Sequence, residues 1–446
     1  MSEASPATDP HGYRHIARLA VPIILANSAT PLLGLADTAV VGNAADAVNL
    51  GAVALGSLVF NFLYWGFGFL RMGTTGFVAQ ASSRGDTDAL VATLARALAL
   101  GLAIGLLLVL LQAPIAAGAR ALLGATPAVE AETARYVAVR IWAAPATLML
   151  YVLMGWFIGT GETGKLLVVQ VAMNGLNIAL DVLFAGVLGW GAEGVALGTA
   201  LSEASAVVLA LWLTLRALPA GRRSPRRWPW RQALARADVL KMLRVNGDIM
   251  IRTLFLLAGF ALFADRGARF GDVVLDGNHV LLQFVSFSAF FLDGFAFAME
   301  GLVGRAIGAG DRVGFDRVVR RATVLAAVTA VGLAVGLWLL GSLAIDLLTD
   351  LAAVRAVAKA YLPLAGLYVL LSFPAFQLDG VFIGATASRA MRNASILSFG
   401  AFLLALWLLA DDHGNAGLWW AFIVFVVARA VFLGAFFPSL RRDVAR

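Results

Sequence analysis

Apolar residues in this chain run in long blocks separated by short polar or charged breaks. The first six blocks are 15–41, 50–79, 89–117, 131–159, 166–188 and 192–215, and six more follow at 239–264, 274–304, 316–345, 356–385, 391–410 and 414–438. Each block meets the roughly 20 residues that a helix needs to cross a ~30 Å hydrocarbon core. The pattern therefore predicts an all-α membrane protein with twelve transmembrane helices. Gly and Pro inside the blocks do not argue against helices, because membrane bundles re-satisfy the backbone groups such residues free.

The blocks repeat. A shift of 225 residues places Gly76, Gly85, Asp86 and Arg96 on Gly301, Gly310, Asp311 and Arg321, Tyr136 on Tyr361, and Gly155, Phe157, Ile158 and Gly159 on Gly380, Phe382, Ile383 and Gly384. Six crossings return the chain to its starting side, so the copies are parallel repeats related by an axis along the membrane normal. Two pseudo-symmetric six-helix bundles are expected, 1–217 and 239–446, joined by a basic linker at 218–238. The copies also differ. Asn174, Asn177 and Asp181 in block 5 correspond to Phe399, Phe402 and Leu406, so the polar stripe belongs to the first half alone.

Composition agrees with the bilayer as solvent: 61% of residues are hydrophobic and 14% charged, far from the soluble norm of roughly a quarter charged. The net charge of +7 reflects topology rather than nucleic acid. With the N-terminus inside, 24 cations fall on the cytoplasmic side and six outside, while Arg71, Arg140, Arg252 and Arg429 lie within spans. Both termini are thus expected in the cytoplasm. Nine of the inner cations lie between Arg216 and Arg244, a topology-setting segment at the headgroups. The first block runs past signal-peptide length without a small-residue cleavage site and reads as a retained helix. The absence of cysteine removes disulfide and thiolate chemistry. The four histidines lack metal-ligand spacing, and no complete Gly-x4-Gly-Lys-Ser/Thr phosphate loop is present, so energy must come from an ion gradient or a partner.

Charged side chains are costly at membrane depth and must face the protein interior. Asp181 is one such residue, with Asn177 four positions earlier on the same face and Asn174 a turn further away. The stripe is either an interhelical polar contact or a proton or sodium site. Asp37 follows Pro22 by fifteen residues on the first helix, where a proline permits a bend. Facing Asp181, it would share a proton or a hard monovalent cation; alternatively, it caps the helix end with Thr38. Asp248 and Arg252 stand four apart and are expected to neutralise one another. Asp293, Glu300 and Asp379 are further intramembrane acids, and Arg71 and Glu300 are expected to form an inner-side ion pair.

Five stretches taken together resemble the multidrug and toxic compound extrusion family, in its DNA-damage-inducible-protein-F-like branch: 30–42, 70–76, 248–253, 292–298 and 378–386. The resemblance covers nearly the whole chain. It implies two bundles forming a V-shaped cleft and a proton- or sodium-coupled antiporter, not an enzyme. Its substrates would be small, amphipathic and often cationic compounds, exported across a bacterial inner membrane. It also implies that Asp37, Asn177, Asp181 and Thr199 bind the coupling ion, that Pro22 is the bend, and that Asp379 occupies a position used by acids in other branches. No cofactor is implied beyond H+ or Na+, with sodium the sole metal at those four residues. The expected partners are membrane lipids and substrate, and the expected state is a monomer. A flippase for a lipid-linked precursor is the alternative within transport; a membrane-embedded enzyme lacks a His/Asp, Ser/His or metal constellation to support it.

Overall fold

The computed structural model describes residues 9–44 and 47–444, apart from the side chains of 30–33, 35–39, 41, 43–44 and 119–123. It is an all-α membrane protein, and no strand occurs among the described residues. Ten helical runs are long and apolar enough to span a bilayer. The last of them, Ser388–Asp443, breaks at Gly414, whose φ of 56° and ψ of −134° leave the helical region. There the chain turns back on itself: a Cβ placed on Gly417 would overlap the carbonyl of Leu409, eight residues earlier. In a straight helix eight residues advance about 12 Å. This run therefore supplies two crossings, and Tyr13–Ala44 brings the total to the twelve expected.

In chain order the membrane helices are α1 (Tyr13–Ala44), α2 (Ala47–Ser83), α3 (Thr87–Leu110), α4 (Pro127–Thr160), α5 (Thr163–Val187) and α6 (Gly191–Ala217). Then come α7 (Arg236–Ala268), α8 (Asp272–Gly308), α9 (Arg312–Leu348), α10 (Ala352–Gly384), and α11 and α12, the 388–413 and 415–443 parts of the final run. An additional short helix, Gln112–Leu123, follows α3. The basic linker is folded rather than extended. Trp228 is buried and donates its indole N–H to the Arg222 carbonyl at 2.9 Å, while Arg222 binds Asp88 at the start of α3 at 2.7 Å.

The chain forms two compact units, Leu25–Met242 and the residues up to Ile24 together with Leu243 onward. Neither boundary falls in a loop. One divides α1 two residues after Pro22, and the other divides α7.

The 225-residue repeat is visible as packing. In the first unit α4 lies against α2 through Gly155 and Gly159, where an added Cβ would strike the carbonyls of Arg71 and Thr75. In the second, α10 lies against α8 through Gly380 and Gly384, where it would strike those of Ala296 and Glu300. Membrane helices gain little from hydrophobic transfer between one another, so close backbone approach at small residues supplies contact instead. The same two glycines recur because the same two helices must touch.

The second unit is filled differently. Phe263, Phe402, Trp419, Phe422 and Phe425 are buried together, with Tyr368 stacked on Phe422 at 4.6 Å. Phe402, the counterpart of Asn177, is fully buried against Phe425 at 5.1 Å.

Candidate ion-coupling site

Within Leu25–Met242, α5 presents Gln170, Asn174, Asn177 and Asp181 along one face, all buried, with Asp181 at 0% exposure. The spacing of four, three and four residues keeps these side chains over one another. Gln170 was absent from the sequence expectation; its amide donates to Asn174 Oδ1 at 3.4 Å.

Helix α6 closes over the lower part of this stripe. Asn177 Nδ2 donates to Thr199 Oγ1 at 3.3 Å, and the Thr199 hydroxyl donates to the Val195 carbonyl at 2.9 Å. Asn177 Oδ1 is buried without a hydrogen-bond partner among the described residues. Asp181 is turned toward the same helix: a Cβ on Gly198, next to Thr199, would run into its Oδ1. The absent side chain at Gly198 is what lets a carboxylate fit between α5 and α6. Asn177, Asp181 and Thr199 thus converge, and oxygen from carboxylate, amide and hydroxyl is the donor chemistry of a proton or hard-cation site.

Asp181 also sits at a change of helix type. The six residues Val182–Val187 form a π turn, with Leu188 N–H reaching the Leu183 carbonyl at 2.9 Å. Such wide turns are rare and concentrate at functional sites. The loosened end is held by α6, because Gly194 brings its backbone against Phe184 and Ala185.

Asp37 lies in α1, but its side chain is outside the described residues, as is that of Thr38. Pro22 is half-buried in a continuous helical stretch. Its surroundings belong to the second unit: Ala20 and Ile24 pack on Gly294 of α8, with the Ala20 carbonyl 3.2 Å from where a Cβ would stand. Asp293, beside that glycine, is half-buried.

The expected pairing of Asp248 with Arg252 does not form. Asp248 accepts from Arg392 at 2.7 Å and from Ser388 at 2.8 Å, both on α11. Arg252 instead pairs with Asp379 of α10, which also accepts from Arg429 of α12 at 2.8 Å. Four residues of spacing make a helix pair available, but here each aspartate accepts from two donors on other helices. Arg71 and Glu300 are both buried.

Arg140, already placed within a span by the sequence, has an acid partner that the sequence reading passed over. Glu203, one turn beyond Thr199 on α6, binds Arg140 through both oxygens at 2.6 and 2.9 Å and accepts from Thr147. The Arg140 guanidinium also lies over the Phe60 and Tyr64 rings at 5.4 and 5.6 Å. An acid inside an apolar run, the criterion that singled out Asp181, would have found Glu203.

Twelve membrane helices in duplicated halves, with buried polar clusters inside each, define a multi-pass membrane transporter. The MatE family model matches residues 22–183 and 250–407, one stretch in each half, and the chain belongs to that family. It is 35% identical over 421 residues to DNA damage-inducible protein F of Escherichia coli (strain K12), covering 94% of this chain and 90% of that protein. A probable multidrug resistance protein NorM of Rhizobium meliloti (strain 1021) is 27% identical over 469 residues, 97% of this chain and 95% of that one. The fold matches a solved multidrug resistance MATE family transporter of the MOP superfamily in its outward-facing conformation. The TM-score is 0.85 at 19% identity, over 99% of this chain and 100% of that one. Members of the family are transporters rather than enzymes.

Proposed function

We propose that this chain is a cation-coupled antiporter that exports amphipathic compounds by alternating access, with H+ or Na+ bound at Asp181, Asn177, Thr199 and Asp37. The observation that carries the reading is the fully buried Asp181 carboxylate held against Gly198, beside the Asn177–Thr199 hydrogen bond. The relatives' names, DNA damage-inducible protein F and probable multidrug resistance protein NorM, support export of foreign compounds. In this reading the protein is a monomer in a bacterial inner membrane with both termini in the cytoplasm.

Binding of the ion neutralises the Asp37/Asp181 site, and the response is a change at the Pro22 turn of α1. The ion must prefer one conformation, since a ligand of equal affinity for both shifts neither. Arg140 gives no support to a lipid-headgroup site, because Glu203 already neutralises it. The test is counterflow of a fluorescent amphipathic cation in proteoliposomes with pH and sodium gradients imposed separately. Accumulation driven by one gradient supports the antiporter; accumulation insensitive to both contradicts it.

A further inference from the structure

In the second unit Arg252 of α7 and Arg429 of α12 donate to the same atom, Oδ2 of Asp379 on α10. Two guanidiniums therefore share one carboxylate. Asp248, one turn before Arg252, cannot make up the difference, because it is engaged by Arg392 and Ser388. The cluster holds one positive charge more than its acid balances. The first unit provides the contrast: there Arg140 and Glu203 match one to one in a closed, bidentate pair.

The cluster is about as buried as the Arg140–Glu203 pair. Arg252, Arg429 and Asp379 keep 8, 10 and 13% of their side-chain surface accessible. Each guanidinium carries five N–H donors in a planar fork, and each places one on Asp379. Aromatic residues stand on the same helices as the two arginines. Phe255 lies three residues beyond Arg252, and Phe425 lies four before Arg429. Both contact Phe399, with ring centroids at 5.4 and 6.5 Å. A planar donor fork is complementary to a carboxylate, phosphate or sulfonate.

We propose that Arg252 and Arg429, buttressed by Asp379, form a subsite for the anionic group of an amphipathic compound. This deepens the antiporter reading and rests on it for the direction of transport, though binding itself does not require transport. The anion's source is either a soluble compound or a phospholipid headgroup, which share the same chemistry.

The test uses three dansyl probes that differ in charge: dansylglycine (anionic), dansylamide (neutral) and dansylcadaverine (cationic). Binding to the purified full-length protein in neutral detergent, with no gradient, is followed by fluorescence. Dansylglycine is expected to bind at least tenfold more tightly than dansylamide. Arg252→Gln and Arg429→Gln each leave Asp379 matched by one arginine, so neither strands a buried charge. Each is expected to lower the dansylglycine-to-dansylamide selectivity about tenfold.

Displacement by short-chain phosphatidylglycerol but not phosphatidylcholine assigns the subsite to a net-anionic lipid headgroup, displacement by both assigns it to lipid phosphate, and no displacement by either assigns it to soluble anions. Equal wild-type affinity for dansylglycine and dansylamide, or unchanged selectivity in both variants, overturns the proposal. Gradient-driven counterflow of dansylcadaverine in proteoliposomes tests the antiporter reading separately. A protein that binds dansylglycine selectively yet moves no probe under any gradient retains the subsite and loses the antiporter.

Discussion

Arg96 and Arg321 stand 225 residues apart in sequence and perform the same task, each holding the segment that leads into the first helix of the opposite repeat. Arg96 donates to the carbonyls of Ala233 and Gln232 at 2.7 and 3.0 Å and to Asp238 at 3.0 Å, at the entry to α7. Arg321 donates to Asp9 at 2.5 Å and to the His11 carbonyl at 2.8 Å, at the entry to α1. Aspartates in register with one another, Asp86 and Asp311, cap the helices that carry these arginines. Each compact unit thereby includes the opening of a helix whose remainder belongs to the other unit.

Removing the first of these clasps should free the linker. Arg96→Ala deletes three charge-assisted hydrogen bonds from a buried guanidinium, a local loss of about 1–3 kcal/mol. Trypsin is expected to cut the 222–236 stretch several-fold faster in this variant. An unchanged digestion pattern would show that Arg222–Asp88 suffices.

The second clasp carries a pH dependence. The Arg321 guanidinium and the His11 backbone N–H hold the Asp9 carboxyl below its usual range. A depressed folded value means the contact contributes fully above the unfolded value of about 3.9 and is lost as pH falls through the lower folded one. Hydrogen exchange at residues 9–12, corrected for intrinsic rates, should therefore accelerate below about pH 4. Asp9→Asn should show the faster exchange at every pH.

Thr386 has a φ of 55°, and its counterpart in the first repeat is Gly161 with a φ of 80°. A β-branched residue in the left-handed region costs roughly 1–2 kcal/mol that glycine avoids. Thr386→Gly is expected to raise the unfolding temperature in detergent, and Gly161→Thr to lower it.

Breaking the Arg140–Glu203 pair should be severe. Both residues are buried, and stranding one partner of a buried pair costs about 3–5 kcal/mol. Glu203→Gln should reduce folded yield and thermal stability sharply, whereas replacing both residues with apolar side chains of similar volume should recover most of the loss.

Much of the fold is legible in the sequence because membrane crossing imposes length and apolarity, and because Gly155/Gly159 and Gly380/Gly384 must keep the same backbone contacts. Even the break between the last two helices falls where the apolar blocks at 391–410 and 414–438 divide. Side-chain partners were less legible, since helix spacing shows what shares a face and not what approaches from another helix. Asp248 finds Arg392, 144 residues away, rather than Arg252. Gly198 could not be distinguished from other small residues before α6 was seen against Asp181. The π turn after Asp181 has no signature in residue type at all. The asymmetry between halves was readable as missing polar groups, but the aromatic cluster that replaces them shows why Phe399 and Phe402 stand there.

Gly198 offers a test of the coupling site that leaves its acid in place. In Gly198→Ala the new methyl group would overlap Asp181 Oδ1, an overpacking that costs about 1–3 kcal/mol. Ion-driven efflux is expected to fall at least tenfold although Asp181, Asn177 and Thr199 are all retained. Wild-type efflux would place the coupling ion elsewhere.

The central claim is that Asp181 carries the coupling ion, and the most direct measurement is substrate-driven ion movement in proteoliposomes. Wild-type protein and Asp181→Asn, matched for the amount inserted, are loaded with substrate on one side while internal pH and sodium are monitored. The wild type should move H+ or Na+ in proportion to substrate, and Asp181→Asn should abolish that ion flux while still binding substrate. Ion flux of wild-type size in Asp181→Asn would contradict the assignment.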